Sequence, residues 1–173
     1  MQGFQGFAKN AIWVWTWKTE LPHNGLPPGR RIELEISDIE AIQNKVEGVE
    51  YITPRLGLWG TLITSEAKSG SYDVQGVNEY FQYIESNDII EGRYINKTDV
   101  ADKKKVVSIG KLVAENLFGE EQAVGQYINI KGAYFLVVGV YKSKASGEMP
   151  RKMKKQSLLH TPLYSRLSIW EQK

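Results

Sequence analysis

The first part of the chain alternates in a way that is typical of a β-strand. Over residues 11–18, Trp13, Trp15 and Trp17 fall on one side, because successive strand residues point to opposite faces. This tryptophan stripe has two interpretations: a strand face packed on the next helix, or an exposed aromatic face for an apolar ligand or partner. Three exposed tryptophans would form a large adhesive patch, which favours the packed strand.

A helix is predicted to begin near residue 37. Ser37 and Glu40 have the spacing of a capping box, in which each side chain bonds to the backbone amide of the other residue. Ile39, Ile42 and Val46 then lie on one stripe, as on a helix with one apolar face. The helix is expected to end near Val46.

The chain that follows is predicted to be extended. Strands are expected over residues 49–58, 61–65 and 71–77, with a hairpin turn at residues 67–70. A short helical turn is expected over residues 78–83.

The second half mixes strands and helices without a regular repeat. The predicted elements are a strand at 106–109 after a charged loop, a helix at 110–118, a hairpin of 126–130 and 134–141, a mobile loop at 142–156, a strand at 158–160 and a helix at 164–170. This order indicates an α+β fold rather than a doubly wound sheet.

Composition limits the possible functions. The 173 residues suffice for one domain or two small subdomains, and 42% apolar residues allow a packed core. The net charge of +2 gives no general reason to expect nucleic acid. The absence of cysteine excludes disulfides, thiolate zinc sites and cysteine nucleophiles. No apolar run approaches the roughly 18 residues of a membrane span.

The sequence contains few residues suited to catalysis. Only His23 and His160 could shuttle protons near neutral pH, and no partner for either is evident. There is no phosphate-binding loop and no nucleophile elbow. Asp99 and Asp102 are expected to solvate a surface loop, and the glycosylation pattern at Asn96 is interpreted as a chance match. We therefore predict no catalytic, metal or cofactor-binding residue.

Two basic runs remain, at residues 103–105 and 151–155. The second run either binds anionic lipid or nucleic acid, or forms part of a solvated loop. No aromatic residue interleaves it, which weakens the case for nucleic acid and favours the loop.

Short motifs follow one another across most of the chain. They are ISDIEAI (36–42) with VEGVEYITP (46–54), VQGVNEYF (74–81), EGRYI (91–95), VVSIG (106–110) with AENLFG (114–119), VGQYI (124–128) and FLVVGV (135–140). In content, order and spacing this series resembles the periplasmic core domain of MacB-type ABC transporter permeases, within the FtsX-like permease family.

The resemblance implies a porter-like subdomain with a mixed sheet and an inserted small α/β subdomain. Residues 1–77 would be the first porter-like segment, 78–145 the insertion, and 146–173 a basic loop with part of a return segment. The rest of the return segment is expected to be missing or divergent. The chain would then be a fragment excised from between two membrane helices.

The resemblance also implies a function. The chain would be a non-catalytic periplasmic domain of an inner-membrane permease, which transmits conformational change and binds a periplasmic partner or substrate during export. Expected partners are a periplasmic adaptor (membrane fusion) protein, the ATPase domain or subunit, and a second permease subunit in a homodimer or heterodimer. The alternative is a free-standing periplasmic domain that binds a ligand or lipoprotein through the tryptophan stripe.

Partner contacts are expected in the insertion and in the basic loop. The candidate residues are Tyr80, Phe81, Tyr83, Arg93, Arg151, Lys152, Lys154 and Lys155.

Overall fold

A computed structural model describes residues 10–85, 87–143 and 158–162. Within these ranges it contains four helices and seven strands. The helices are α1 (Ser37–Lys45), α2 (Phe81–Ile84), α3 (Lys97–Ala101) and α4 (Lys111–Phe118). The strands are β1 (Leu56–Thr64), β2 (Ser69–Val77), β3 (Asn87–Gly92), β4 (Val106–Gly110), β5 (Tyr127–Ile130), β6 (Ala133–Ser143) and β7 (Leu158–Pro162). None of the helices in the described ranges is long and apolar enough to cross a membrane.

The strands of the described chain pair in one mixed sheet, in the order β3-β6-β4-β7-β2-β1-β5. The sheet also closes on itself, because β6 pairs with β5 through Ala133–Leu136 and with β3 through Gly139–Ser143. Parallel pairs (β2 with β7, β4 with β6) and antiparallel pairs occur together. The predicted α+β class with a mixed sheet is confirmed.

The main core lies between the sheet and α4. All five residues of β4 are buried, since this strand lies between β6 and β7. Val113 and Leu117 of α4 pack onto strand residues such as Ile109 and Phe135. A second cluster joins α2 to the chain after β3 and consists of Val77, Phe81, Tyr94 and Ile95.

Both predicted hairpins are confirmed. β1 and β2 pair antiparallel, with Thr64 opposite Ser69, and the turn falls at residues 65–68. β5 and β6 turn through Lys131 and Gly132, whose φ angles of 49° and 87° suit a two-residue turn. Strand β3 and helix α3 were not predicted. Both are short, and the many charged residues around them are more typical of a loop.

The predicted strand over residues 11–18 is wrong. Only Lys18 makes a bridge, with Arg31, at the base of a short loop that turns at residues 23–26. Trp15 and Trp17 are each 81% exposed, so the packed interpretation of the tryptophan stripe is wrong as well. Alternation alone does not form a strand, because the pairing and packing of neighbouring elements stabilise one.

The predicted capping box of α1 is also wrong. The Ser37 hydroxyl donates to the Glu35 carboxylate, and the Asp38 carboxylate accepts from the Glu35 amide at 2.7 Å. Asp38 therefore binds the amide ahead of the helix, and Ile36 occupies the N-cap position without a side-chain hydrogen bond. A complete capping box occurs instead at α3, between Asn96 and Asp99.

The sheet draws strands from all three predicted segments, with β1 and β2 before residue 78, β3–β6 within 78–145, and β7 after it. The division into porter-like segment, insertion and return stays a prediction. The predicted loop at 142–156 lies almost entirely, and the predicted helix at 164–170 wholly, outside the described residues.

Candidate functional site

Three tyrosines form an exposed aromatic surface beside α2, which we call the tyrosine platform. The ring of Tyr51 stacks on that of Tyr83, with centroids 4.8 Å apart and an interplanar angle of 21°. Tyr80 lies on the same ring at 5.5 Å and 32°. Tyr51 is 40% and Tyr83 54% exposed, so the platform offers ring faces and hydroxyl groups to solvent.

The platform is held in place from two sides. Tyr80 is the N-cap of α2, and its amide donates to the Asn78 side chain at 3.2 Å. Asn78 in turn donates to the Ile52 carbonyl at 3.0 Å, which ties the segment carrying Tyr51 to the end of β2. The Asn78 side chain therefore joins the backbone segments that carry Tyr51 and Tyr80.

Arg55 connects the platform region to the core. Its guanidinium lies 5.4 Å from the Trp13 ring centroid and 5.8 Å from that of Phe81. It also donates to the buried Glu85 carboxylate at 3.3 Å. Arg55 thus fixes Trp13, the half-buried member of the tryptophan stripe, against α2.

Two buried tyrosines lie close to this ion pair. Burial raises the pKa of Tyr94, and the nearby Tyr141 and Glu85 raise it further. Burial and Glu85 likewise raise the pKa of Tyr141. Both hydroxyl groups therefore stay protonated at neutral pH and act as neutral hydrogen-bonding groups. On the platform itself, the Glu50 carboxylate raises the pKa of the Tyr51 hydroxyl.

Arg93 belongs to a different structure, the capping box of α3. Both Nη atoms donate to the Asp99 carboxylate, with Nη2 and Oδ1 at 3.0 Å. Asp99 also accepts from the Asn96 amide at 3.0 Å. Burial raises the pKa of Asp99, but the bonds from Arg93 and Asn96 lower it more, so its net pKa lies below the usual range.

The predicted site residues therefore separate into groups. Tyr80 and Tyr83 lie together on the platform, whereas Phe81 is fully buried in the core. Arg93 is half-exposed and engaged with Asp99. Arg151, Lys152, Lys154 and Lys155 lie outside the described residues.

The sequence did not predict the roles of two residues, one on the platform and one in the cap of α3. Tyr51 was assigned to a strand, although its motif Glu50-Tyr51-Ile52 carries an aromatic residue beside a carboxylate. The predicted role of Asp99 as a solvated surface carboxylate is wrong, because its side chain is buried against Arg93. Asp102 is exposed, as expected. The spacing Asn96-x-x-Asp99 is the sequence signal for the cap at this position.

No cluster of three or more histidine, aspartate or glutamate side chains suited to a metal ion occurs in the part of the chain that the structure describes. The surface there presents aromatic rings in several places, which include the platform and the exposed Trp15 and Trp17. Such surfaces suit contact with another molecule, since aromatic side chains anchor interfaces.

The fold itself is that of extracytoplasmic domains of ABC transporters. It is similar to the solved periplasmic region of MacB from Actinobacillus actinomycetemcomitans, with a TM-score of 0.65 and 22% identity over 87% of this chain and 64% of that one. It is also similar to the extracellular domain of the noncanonic ABC-type transporter YknZ from Gram-positive bacteria, with a TM-score of 0.63 and 21% identity over 75% of this chain and 62% of that one.

The chain belongs to the family of MacB-like periplasmic core domains, whose profile matches residues 2–169. This is a permease-domain family and not a known catalytic one. The macrolide export ATP-binding/permease protein MacB of Bdellovibrio bacteriovorus is 30% identical over 118 residues, which are 68% of this chain and 18% of that protein. The pyoverdine export ATP-binding/permease protein PvdT of Pseudomonas syringae pv. syringae is 31% identical over 149 residues, 84% of this chain and 21% of that protein. The chain spans about a fifth of the length of these relatives.

Proposed function

We propose that this chain is the part of an ABC export permease that binds a partner on the periplasmic side and transmits conformational change to it. The partner would be a periplasmic adaptor protein, and the ATPase domain or subunit would drive the motion. The observation that carries this proposal is the tyrosine platform on a domain of the MacB-like family. The platform consists of stacked aromatic rings, and a hydrogen bond from the Asn78 side chain to the Ile52 carbonyl joins the segments that carry them.

The architecture supports the transmission of motion. The platform joins the N-terminal segment, through Tyr51, to α2, through Tyr80 and Tyr83. The second core cluster connects α2 to the chain after β3, through Phe81 and Ile95. A partner on the platform would therefore contact two segments that are far apart in the sequence and joined to the sheet.

The test is a binding experiment with the adaptor protein of the same transporter. Substituting Tyr51→Ala and Tyr83→Ala together should weaken adaptor binding about thirtyfold or more, as expected when central aromatic anchors of an interface are removed. Tyr127→Ala is the matched control, because Tyr127 is 57% exposed and lies on β5. Equal adaptor affinity of the platform variant and the control would exclude the platform.

A second comparison tests the predicted basic loop. Charge reversal at Arg151, Lys152, Lys154 and Lys155 is expected to weaken adaptor binding in the same assay. Unchanged recovery of the adaptor would exclude this loop while leaving the platform in place.

In the whole transporter, the platform variant should retain basal ATP hydrolysis and lose the part that depends on the adaptor.

The exposed tryptophans favour a second candidate, a free-standing domain that binds an apolar ligand or a lipoprotein acyl chain. Ile12 is 88% exposed next to Trp15 and Trp17, so an apolar surface is available. Tryptophan fluorescence during titration with an acylated peptide tests this function. Saturable quenching that Trp15→Ala with Trp17→Ala abolishes would favour it, and no quenching would exclude it.

A further inference from the structure

A cleft between β1 and the β5–β6 turn lies outside the proposed partner surface. It has a volume of about 460 Å³, within the range of small-ligand sites. One wall consists of Trp59 and Leu62, which are 67% and 63% exposed. The other wall consists of Asn129, Lys131 and Gly132. We call this site the bulge cleft.

The tryptophan wall is formed by an irregularity in β1. The pairing of β1 with β2 shifts between Leu58 and Thr61, which leaves Trp59 and Gly60 as a bulge. Gly60 has a φ of 60°, and its amide donates to the Asp73 carboxylate at 2.8 Å. This bond fixes the bulge from the neighbouring strand.

The orientation of the indole ring depends on a glycine. The Trp59 ring lies back along its own strand, so that a Cβ added at Gly57 would stand 2.7 Å from its Cζ2 atom. Any larger residue at 57 would displace the ring. Trp59 therefore lies along β1 as one wall of the cleft and does not extend freely into solvent.

The opposite wall is rigid and positively charged. The Gly132 amide donates to the Asn129 side chain at 2.8 Å, which closes the turn that carries Lys131. In the described ranges no carboxylate lies within ion-pair distance of the Lys131 ammonium group. Among the described residues that line the cleft, none is acidic and Lys131 carries the one formal charge.

We propose that the bulge cleft binds a small aromatic carboxylate. The flat ring would stack against Trp59 and contact Leu62, while the carboxylate would reach Lys131 and the hydroxyl of Thr61 or Thr64 at the base of the cleft. Offset stacking needs a flat apolar partner, and the unpaired lysine needs an anion. This combination selects an aromatic acid over both a neutral aromatic and a flexible acyl chain.

The test uses 2-naphthoate as the probe and follows the amides of Gly60 and Gly132 and the indole N–H of Trp59 by NMR. The 173-residue chain should show saturable shifts at these three positions. Neutral 2-naphthamide should bind about threefold more weakly, since a partly exposed lysine contributes modestly. Dodecanoate should bind more weakly than 2-naphthoate, and tighter binding of dodecanoate would overturn the aromatic specificity.

Substitutions test the aromatic wall and the charged wall of the cleft one at a time. Trp59→Ala should weaken 2-naphthoate binding about tenfold, and Lys131→Ala about threefold. Tyr127→Ala and Lys45→Ala are the matched controls, since both residues are exposed and neither lines the cleft. Leu62→Ala gives a second test of the apolar wall if Trp59→Ala fails to fold. Shifts confined to the segment of Trp15, or equal affinity for all variants, would overturn the proposal.

Discussion

Two regions of this chain match the same family and yet pack in opposite ways. The N-terminal region, residues 10–54, contains no buried residue, and this includes all of helix α1. The sheet region, residues 55–85 and 87–143 with β7, contains the whole buried core of the described chain. Stability therefore resides in the sheet region, whereas the N-terminal region contributes exposed side chains such as Trp15, Trp17 and Tyr51.

The residues of the family motifs have different structural roles in the two regions. In the sheet region, Gly92 of the EGRYI motif lies opposite Gly139 of the FLVVGV motif. A Cβ at Gly139 would stand 2.0 Å from the Arg93 carbonyl oxygen. The glycines of the two motifs thus lie where two backbones nearly touch. In the N-terminal region, the side chains of the motifs remain exposed, and the same explanation does not apply.

The largest expected effect comes from breaking the glycine contact in the sheet region. Gly92→Ala would place a Cβ 2.3 Å from the Val138 carbonyl oxygen, at a φ of 68°. We expect a loss of about 3 kcal/mol or more in the free energy of unfolding, measured by urea denaturation.

Gly125→Ala is the control for this clash. Gly125 also has a positive φ, 94°, but open space around it. Backbone strain alone should cost about 1 kcal/mol there. If both variants lose the same stability, the contact between β3 and β6 is not what holds the region together.

The next largest effect is expected at the buried carboxylate of α3. Asp99→Asn removes the charge that accepts from Arg93 and the Asn96 amide. We expect a loss of about 2 kcal/mol in unfolding free energy, because hydrogen bonds to a buried charge are the stronger kind. Asp102→Asn, at an exposed position three residues on, should change stability by less than about 0.5 kcal/mol.

The same carboxylate gives a pH dependence with a definite sign. The native pKa of Asp99 is lowered, so the unfolded state binds a proton more readily. Its contribution is complete above the usual aspartate pKa of about 3.9 and is lost as the pH falls through the lower native pKa. The stability difference between the wild-type chain and Asp99→Asn should therefore shrink in acid. A difference that grows below about pH 4 would contradict this assignment.

A smaller effect is expected where the two regions meet. Arg55→Ala removes the cation that pairs with buried Glu85 and covers the rings of Trp13 and Phe81. We expect a loss of about 1–2 kcal/mol, reduced because Arg55 is one-third exposed. Arg31→Ala breaks only an exposed pair with Glu33 and should cost less than about 0.5 kcal/mol. Equal losses would mean that Arg55 does not couple the regions.

The elements that were predicted correctly from the sequence are those that their own residues determine. The β5–β6 hairpin follows from Lys131-Gly132, and α4 from the apolar spacing of Val113 and Leu117, and both are confirmed. The family resemblance was sufficient for the fold class, since the motifs mark buried strands and close glycine contacts.

The failures have a common physical cause, which is that packing partners are not visible in a single sequence. The tryptophan stripe alternates like a strand, but Trp15 and Trp17 are exposed, whereas Trp13 lies under the Arg55 guanidinium. Asp99 was predicted to be a loop carboxylate, because helix α3 and the cap that holds Asp99 were not predicted. The tyrosine platform was half predicted, because Tyr80 and Tyr83 share a helical turn whereas Tyr51 reaches them only in the folded chain.

The smallest effect, and the sharpest test of the comparison, is expected from the tryptophans themselves. Trp15→Ala with Trp17→Ala should change the unfolding free energy by less than about 0.5 kcal/mol, although two large apolar side chains are removed, because both are exposed. Trp13→Ala should cost more, since its ring lies under the Arg55 guanidinium. A loss above about 2 kcal/mol for the double variant would show that the N-terminal region is packed in solution. In that case the two regions would share one core, and the tryptophan rings would stabilise the fold rather than form a binding surface.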